Sequence, residues 1–198
     1  MNDELKVAST ASEDKTGSDK ETILSMLHKA GEFQAAGKIL EAESAYEEIL
    51  KIDQNNKFAN QLLGGLALKK GDFIRAQDFI KKALIVDPDN PELNSNLGNA
   101  LLKLHRLDEA KKHYNKALET EPDYAPAHNG LGATLREEGN CEEAEKYHVN
   151  ALEYQPKNPR LRNNYANTLR EMGRTDEAIK QYLLAVECDP HNADTFYN

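Results

Sequence analysis

The sequence predicts an all-α protein of the α-solenoid class, built from helical hairpins stacked in series. Three periodic features predict it. Proline recurs every 34 residues at Pro88, Pro122, Pro156 and Pro190. Glycine recurs in the same register at Gly37, Gly71, Gly139 and Gly173, with His105 at the one exception. Alanine recurs without exception at Ala42, Ala76, Ala110, Ala144 and Ala178. A fixed period of this length is the signature of a repeat architecture, in which each repeat is one supersecondary unit that buries its apolar face on its neighbours.

The register defines five contiguous repeats, 23–56, 57–90, 91–124, 125–158 and 159–192, with the start of a sixth at 193–198. Residues 1–22 precede them. That segment is rich in Ser, Thr, Asp, Glu and Lys and has little to bury, so it is expected to be a disordered tail. Ser18 and Glu21 have the spacing of a capping box for the first helix.

Each repeat reads as two helices. The first opens at Asn90-Pro91 or Asn158-Pro159, with Asn as N-cap and Pro at the first helical position. It runs to the glycine, whose left-handed backbone ends a helix at little cost. The second helix starts at Asp72, Asp108, Asn140 or Thr175, all capping types. It carries apolar residues at three-and-four spacing, as in Ala110, Tyr114, Ala117 and Leu118. It ends before the proline, which disfavours helix in the preceding residue. Small residues share one place on the first helix, at Ala30, Gly64, Gly98, Gly132 and Ala166. Short side chains there let the two helices of a hairpin approach closely.

Composition narrows the function classes. The 198-residue chain has 25 Lys and Arg against 34 Asp and Glu, a net charge of −9. Such a chain gains no counterion-release energy from a phosphate backbone, which argues against nucleic acid as a partner. No apolar run has the length of a membrane span, and no secretory leader pattern opens the chain. Two cysteines, Cys141 and Cys188, make no disulfide framework. Together these favour a cytoplasmic location.

At this point the chain resembles the tetratricopeptide repeat (TPR) family. The third repeat shows the pattern as Leu97-Gly98, Leu101, Ala110, Tyr114, Ala117 and Pro122. The first repeat departs most, with Lys29, Ile49 and Gln54 in place of the usual Leu, Ala and Pro. The resemblance implies a right-handed superhelix in which the first helix of each hairpin lines a concave groove. It implies a scaffold that binds an extended peptide or partner segment in that groove and has no catalysis of its own.

In that geometry the groove residues are Ser95, Asn96, Asn99 and Lys103 in the third repeat, Asn129 and Arg136 in the fourth, and Arg160, Asn163, Asn164, Asn167 and Arg170 in the fifth. Asparagine costs about half a kcal/mol relative to alanine in a helix interior. Six of them therefore call for compensation, and a carboxamide that pairs with the N–H and C=O groups of an extended peptide supplies it. The set is partly similar to the asparagine ladder of O-linked N-acetylglucosamine transferases, matched at Asn96, Asn164 and Asn198 and broken at His28, Leu62 and Gly130. Groove charge is near neutral, with Lys103, Arg136, Arg160 and Arg170 against Glu92, Glu137 and Glu171. A neutral or mildly anionic peptide fits, with Arg136 and Arg170 placed for carboxylates. The Lys/Asn/Asn/Lys/Arg set of the chaperone-binding subclass cannot be assembled.

Catalytic, cofactor and metal sites are not expected. The six histidines lack ligand spacing. His128 and His148 occupy core-type places, where either two half-buried rings or a pH-sensitive or metal-binding pair is consistent with the pattern. No phosphate loop or nucleophile elbow occurs. A second function class stays open: the chain as the substrate-recruiting N-terminal module of a larger enzyme, a glycosyltransferase or sulfotransferase. Its ending "NADTFYN", partway into a first helix, also leaves an edge open to self-association, because solenoids need a polar cap.

Overall fold

The computed structural model describes the backbone of residues 2–189 and the side chains of residues 19–189. Pro190 and the sixth repeat with Asn198 lie outside the described residues. Among the described residues the chain forms ten helices and no strand: α1 (Asn2–Ala35), α2 (Ile39–Ile52), α3 (Lys57–Lys70), α4 (Phe73–Val86), α5 (Pro91–Lys103), α6 (Leu107–Thr120), α7 (Ala125–Glu137), α8 (Cys141–Tyr154), α9 (Pro159–Glu171) and α10 (Thr175–Cys188). They fall into two compact units, Met1–Asp87 and Pro88–Asn198. The first unit holds the hairpins α1–α2 and α3–α4, and the second holds α5–α6, α7–α8 and α9–α10. Within the second unit the first helices of successive hairpins touch, α5 with α7 and α7 with α9.

Helix ends follow the local chemistry. Asn56, Asn90 and Asn158 accept hydrogen bonds from backbone N–H groups of the first turn, Asn90 at 3.0 Å from Leu93. Asp72 does the same for α4 at 3.1 Å from the Arg75 N–H. Two second-helix starts differ from expectation. Arg106 and Arg174, not Asp108 and Thr175, are the N-caps of α6 and α10. Each guanidinium instead grips the carboxylate three residues on, Glu109 and Glu177, with two 2.7 Å bonds. Asn140 is the N-cap of α8 but makes no side-chain capping bond.

The turn inside each hairpin needs one left-handed residue. Gly37, Gly71, Gly139 and Gly173 have φ between 73° and 82°, and His105 takes the same region at φ 55°. The non-glycine residue carries the steric cost of that conformation because the turn is fixed by the hairpin on both sides.

The amino-terminal helix also differs. Residues 2–22, expected to be a tail without structure, continue α1 as one helix from Asn2. The segment has no proline, and its Ala, Glu, Lys and Leu residues are strong helix formers. Ser18 therefore stands inside a helix and not at its start. Residues 19–22 are exposed, and packing against α2 begins with Ile23, Met26 and Leu27.

In each unit the core is built of periodic alanines locked by larger side chains. Every periodic alanine of the second helices is at most 2% exposed. The small residues of the first helices face the bulky residue sixteen positions on. A methyl group built on Gly64 would lie 2.6 Å from Ile80 Cγ1, one on Gly98 2.6 Å from the Tyr114 ring, and one on Gly132 2.7 Å from the His148 ring. Those distances are closer than carbon atoms pack, so at these three places the approach of the bulky side chain, not the helix, favours glycine, whereas Ala30 and Ala166 hold a methyl group at the same register.

Candidate functional site

The predicted groove residues sit on the first helices of the second unit, and the structure divides them into three groups. Ser95, Asn129 and Asn163 occupy one register on α5, α7 and α9 and are buried, at 1%, 3% and 7% exposure. Asn96, Asn99, Asn164, Asn167 and Arg136 are half-buried at the surface. Lys103, Arg160 and Arg170 are exposed. The burial of the first group accompanies the close contact of successive first helices.

Hydrogen bonds then sort the carboxamides. Asn99 Oδ1 accepts from the Tyr114 hydroxyl at 2.9 Å, and Asn167 Oδ1 accepts from the Tyr182 hydroxyl at 2.6 Å. Each bond ties the first helix to the second within one hairpin. Asn164 Nδ2 donates to Asn129 Oδ1 at 2.9 Å, joining α9 to α7. Buried Asn163 has no protein partner for either amide atom, and neither does the Ser95 hydroxyl. An unpaired buried amide costs about 1–3 kcal/mol, so these two residues leave a polar demand that the fold itself does not meet.

Tyr114 is the most enclosed of these groups. Its ring fills the space between α5 and α7, over Gly98 and Gly130. A methyl group on Gly130 would lie 2.2 Å from the Tyr114 ring, too close for a side chain, which explains why glycine, not asparagine, stands there between Asn96 and Asn164. Burial pushes the Tyr114 hydroxyl well above its usual range; Arg160 opposes this and Glu137 adds to it. The hydroxyl stays protonated and donates.

Charge at the surface is partly compensated. Arg136 Nε lies 3.7 Å from Glu171 Oε1, and His105 Nδ1 lies 3.6 Å from Glu137 Oε2. That leaves Lys103, Arg160 and Arg170 as the exposed cations of this face. Cys141, whose Sγ is 3.9 Å from Glu171 Oε2, has its thiol pushed up by burial and then by Glu171 and Glu142. It is not an activated nucleophile, because a reactive cysteine needs a lowered value.

The two core histidines do not pair. His128 Nε2 donates to the Pro122 carbonyl at 2.8 Å, and its ring centre is 5.6 Å from Tyr154. His148 instead stacks toward Tyr165 at 6.3 Å over Gly132, with neither ring nitrogen partnered. Burial, helped by Arg136, lowers His148 to about 3, so the ring is neutral at ordinary pH. Among the described residues no three His, Cys, Asp or Glu side chains gather as metal ligands.

One periodic device was missed by sequence reasoning. Asn60 Nδ2 donates to the Gln54 carbonyl (3.1 Å), Asn94 Nδ2 to Pro88 (2.9 Å), His128 Nε2 to Pro122 (2.8 Å) and Arg162 Nη2 to Pro156 (2.6 Å). Each closes the loop before a first helix by satisfying a carbonyl six residues back. The signal was available: the same place in four repeats always holds a side chain with an N–H donor, although no single residue type fills it throughout.

Sequence and structure comparisons agree with this fold. Two family models described as tetratricopeptide repeat match residues 67–135 and 123–190. No curated protein matches the chain by sequence. Among solved structures it is similar to a thermophilic TPR protein of Thermus thermophilus, with 26% identity and a TM-score of 0.75, covering 87% of this chain and 94% of that one. It is also similar to PilW, a type IV pilus biogenesis factor, with 27% identity and a TM-score of 0.74 over 84% of this chain and 78% of that one. YrrB, a TPR protein with an unusual peptide-binding site, shares the fold at 21% identity and a TM-score of 0.64, over 92% and 94% of the two chains. Among the described residues no helix is long and apolar enough to cross a membrane. With an all-α hairpin array, a 34-residue period and two matching family models that together span residues 67–190, the chain belongs to the tetratricopeptide repeat family.

Proposed function

We propose that this chain is a protein-interaction scaffold, without catalysis of its own, that holds an extended peptide along α5, α7 and α9. The observation that carries the reading is the polar surplus of this face. Asn96, Asn99, Asn164 and Asn167 stand half-buried on α5 and α9, where a bound segment reaches their amides. An extended segment offers N–H and C=O groups at regular intervals, which is what such a face lacks. The exposed Lys103, Arg160 and Arg170 favour a segment that carries carboxylates. The description of YrrB as a peptide-binding TPR protein is in keeping with this reading.

The experiment is fluorescence anisotropy with three labelled ten-residue probes, (Glu-Ala)5, (Gln-Ala)5 and (Lys-Ala)5, on the intact chain. The acidic probe is expected to bind most tightly and the basic probe least. Asn164→Ala with Asn167→Ala is expected to weaken the acidic probe about tenfold or more, while the helical signal is retained. Affinity unchanged by the pair of substitutions removes those residues from the site. Residues following Asn198 in the intact gene test the other reading: a long α/β sequence there makes this chain the recruiting module of an enzyme.

A further inference from the structure

The two asparagines nearest the hairpin tyrosines each have the amide oxygen held from within the hairpin. Tyr114 and Tyr182 donate to Oδ1 of Asn99 and Asn167, at 2.9 and 2.6 Å. The buried Tyr114 ring is fixed between Gly98 and Gly130, so the orientation of the Asn99 amide is set from below. An amide whose oxygen is held presents its nitrogen outward, as a donor and not as an acceptor. Asn164 is the opposite case: an N–H of its Nδ2 bonds Asn129 Oδ1, so the fold holds this amide by its nitrogen and not by its oxygen.

We infer that Tyr114 and Tyr182 are positioning residues for the ligand, and that Asn99 and Asn167 capture two main-chain carbonyl oxygens of one extended peptide. The inference rests on the groove reading above and adds to it a direction for each amide. Neighbouring packed helices lie about 8–10 Å apart, so α5 and α9, separated by α7, are roughly 16–20 Å apart. An extended chain advances about 3.3 Å per residue. The two captured carbonyls are therefore about five or six residues apart in the ligand, with the Asn164 acceptor facing an N–H beside the second one.

The repeats that lack the tyrosine–asparagine pair support the assignment. Ile80 and His148 occupy the tyrosine register, and there Gly65 and Ala133 replace the asparagine. Tyr46 uses Gln34 as its acceptor at 3.2 Å, and the asparagine register there is Gly31. Asparagine occurs at this register only where a second-helix tyrosine takes its oxygen.

The test is nuclear magnetic resonance on the 15N-labelled intact chain, following the side-chain amide signals of Asn99 and Asn167. Wild type, Tyr114→Phe and Tyr182→Phe are compared with and without (Glu-Ala)5. Saturating wild type is expected to move both amide proton signals downfield, as donors engage carbonyls. Each phenylalanine variant is expected to keep its helical signal, to move its asparagine's ligand-free signals, and to bind the probe about fivefold more weakly. Amide signals that stay in place at saturation overturn the inference, as does wild-type affinity in both phenylalanine variants. A probe that fails to bind wild type overturns the groove reading itself. That failure is distinguishable, because the ligand-free amide signals still respond to loss of the tyrosine hydroxyl.

Discussion

The two units share one repeat and one hairpin geometry, yet their first helices present different chemistry. At the start of these helices the first unit exposes Leu24 and Phe58, at 69% and 56%, where the second unit has Glu92, Pro126 and Arg160. Two turns further on, the first unit has Gly31 and Gly65, and a methyl group added to either meets nothing within 4 Å. The second unit has Asn99, Ala133 and Asn167 at this register, and both asparagines are bonded to a tyrosine. The difference teaches that an asparagine in a repeat can serve the fold and the surface together. Its oxygen closes the hairpin, and in the proposed site its nitrogen meets the ligand. Periodicity alone does not separate these two uses.

The largest expected effect concerns acid. Ile80 of the first unit and His148 of the second stand at the same register, each over a glycine. His148 is lowered to about 3 when folded, against about 6.5 when unfolded. The unfolded chain therefore binds the proton first. The stabilisation is complete above about pH 6.5 and is lost progressively as pH falls from there toward 3. Between pH 6.5 and 4 this amounts to about 3 kcal/mol. In urea unfolding at a series of pH values, His148→Ile is expected to flatten that slope. A wild-type slope in the variant would place the acid sensitivity elsewhere.

Next in size is the close approach at Tyr114. Gly130→Ala is expected to cost about 2–3 kcal/mol by forcing the buried ring to move. Gly65→Ala, into open space, is expected to stabilise by about 0.5–1 kcal/mol through helix propensity alone. Opposite signs in the thermal midpoints would sharpen the contrast between the units, and equal signs would break it. Smaller again is Tyr46→Phe, expected to lose about 1 kcal/mol with its bond to Gln34, with no change in probe binding.

Much of this was legible in the sequence. The hairpin register, the asparagine caps at Asn90 and Asn158 and the left-handed glycines follow from local rules, and each needs only a few neighbouring residues. His105 shows that the turn persists without glycine because both flanking helices dictate it. What sequence left unresolved depends on neighbours far along the chain. The burial of Ser95, Asn129 and Asn163 is set by how closely α5, α7 and α9 approach. The break in the asparagine series at Gly130 is set by a ring sixteen residues earlier. The loop ties from Asn60, Asn94, His128 and Arg162 use one geometry with three residue types, so identity-based repeat reading passes over them. The helical course of residues 2–22 was masked by a composition that also describes disordered chains.

The most direct measurement is a crystal structure of the intact chain with a bound acidic decapeptide. The account predicts ligand carbonyl oxygens about 2.7–3.2 Å from Nδ2 of both Asn99 and Asn167, with the tyrosine bonds to their oxygens kept. A peptide seated on the second helices, or on α5 and α9 with its side chains and not its carbonyls at these amides, would contradict it.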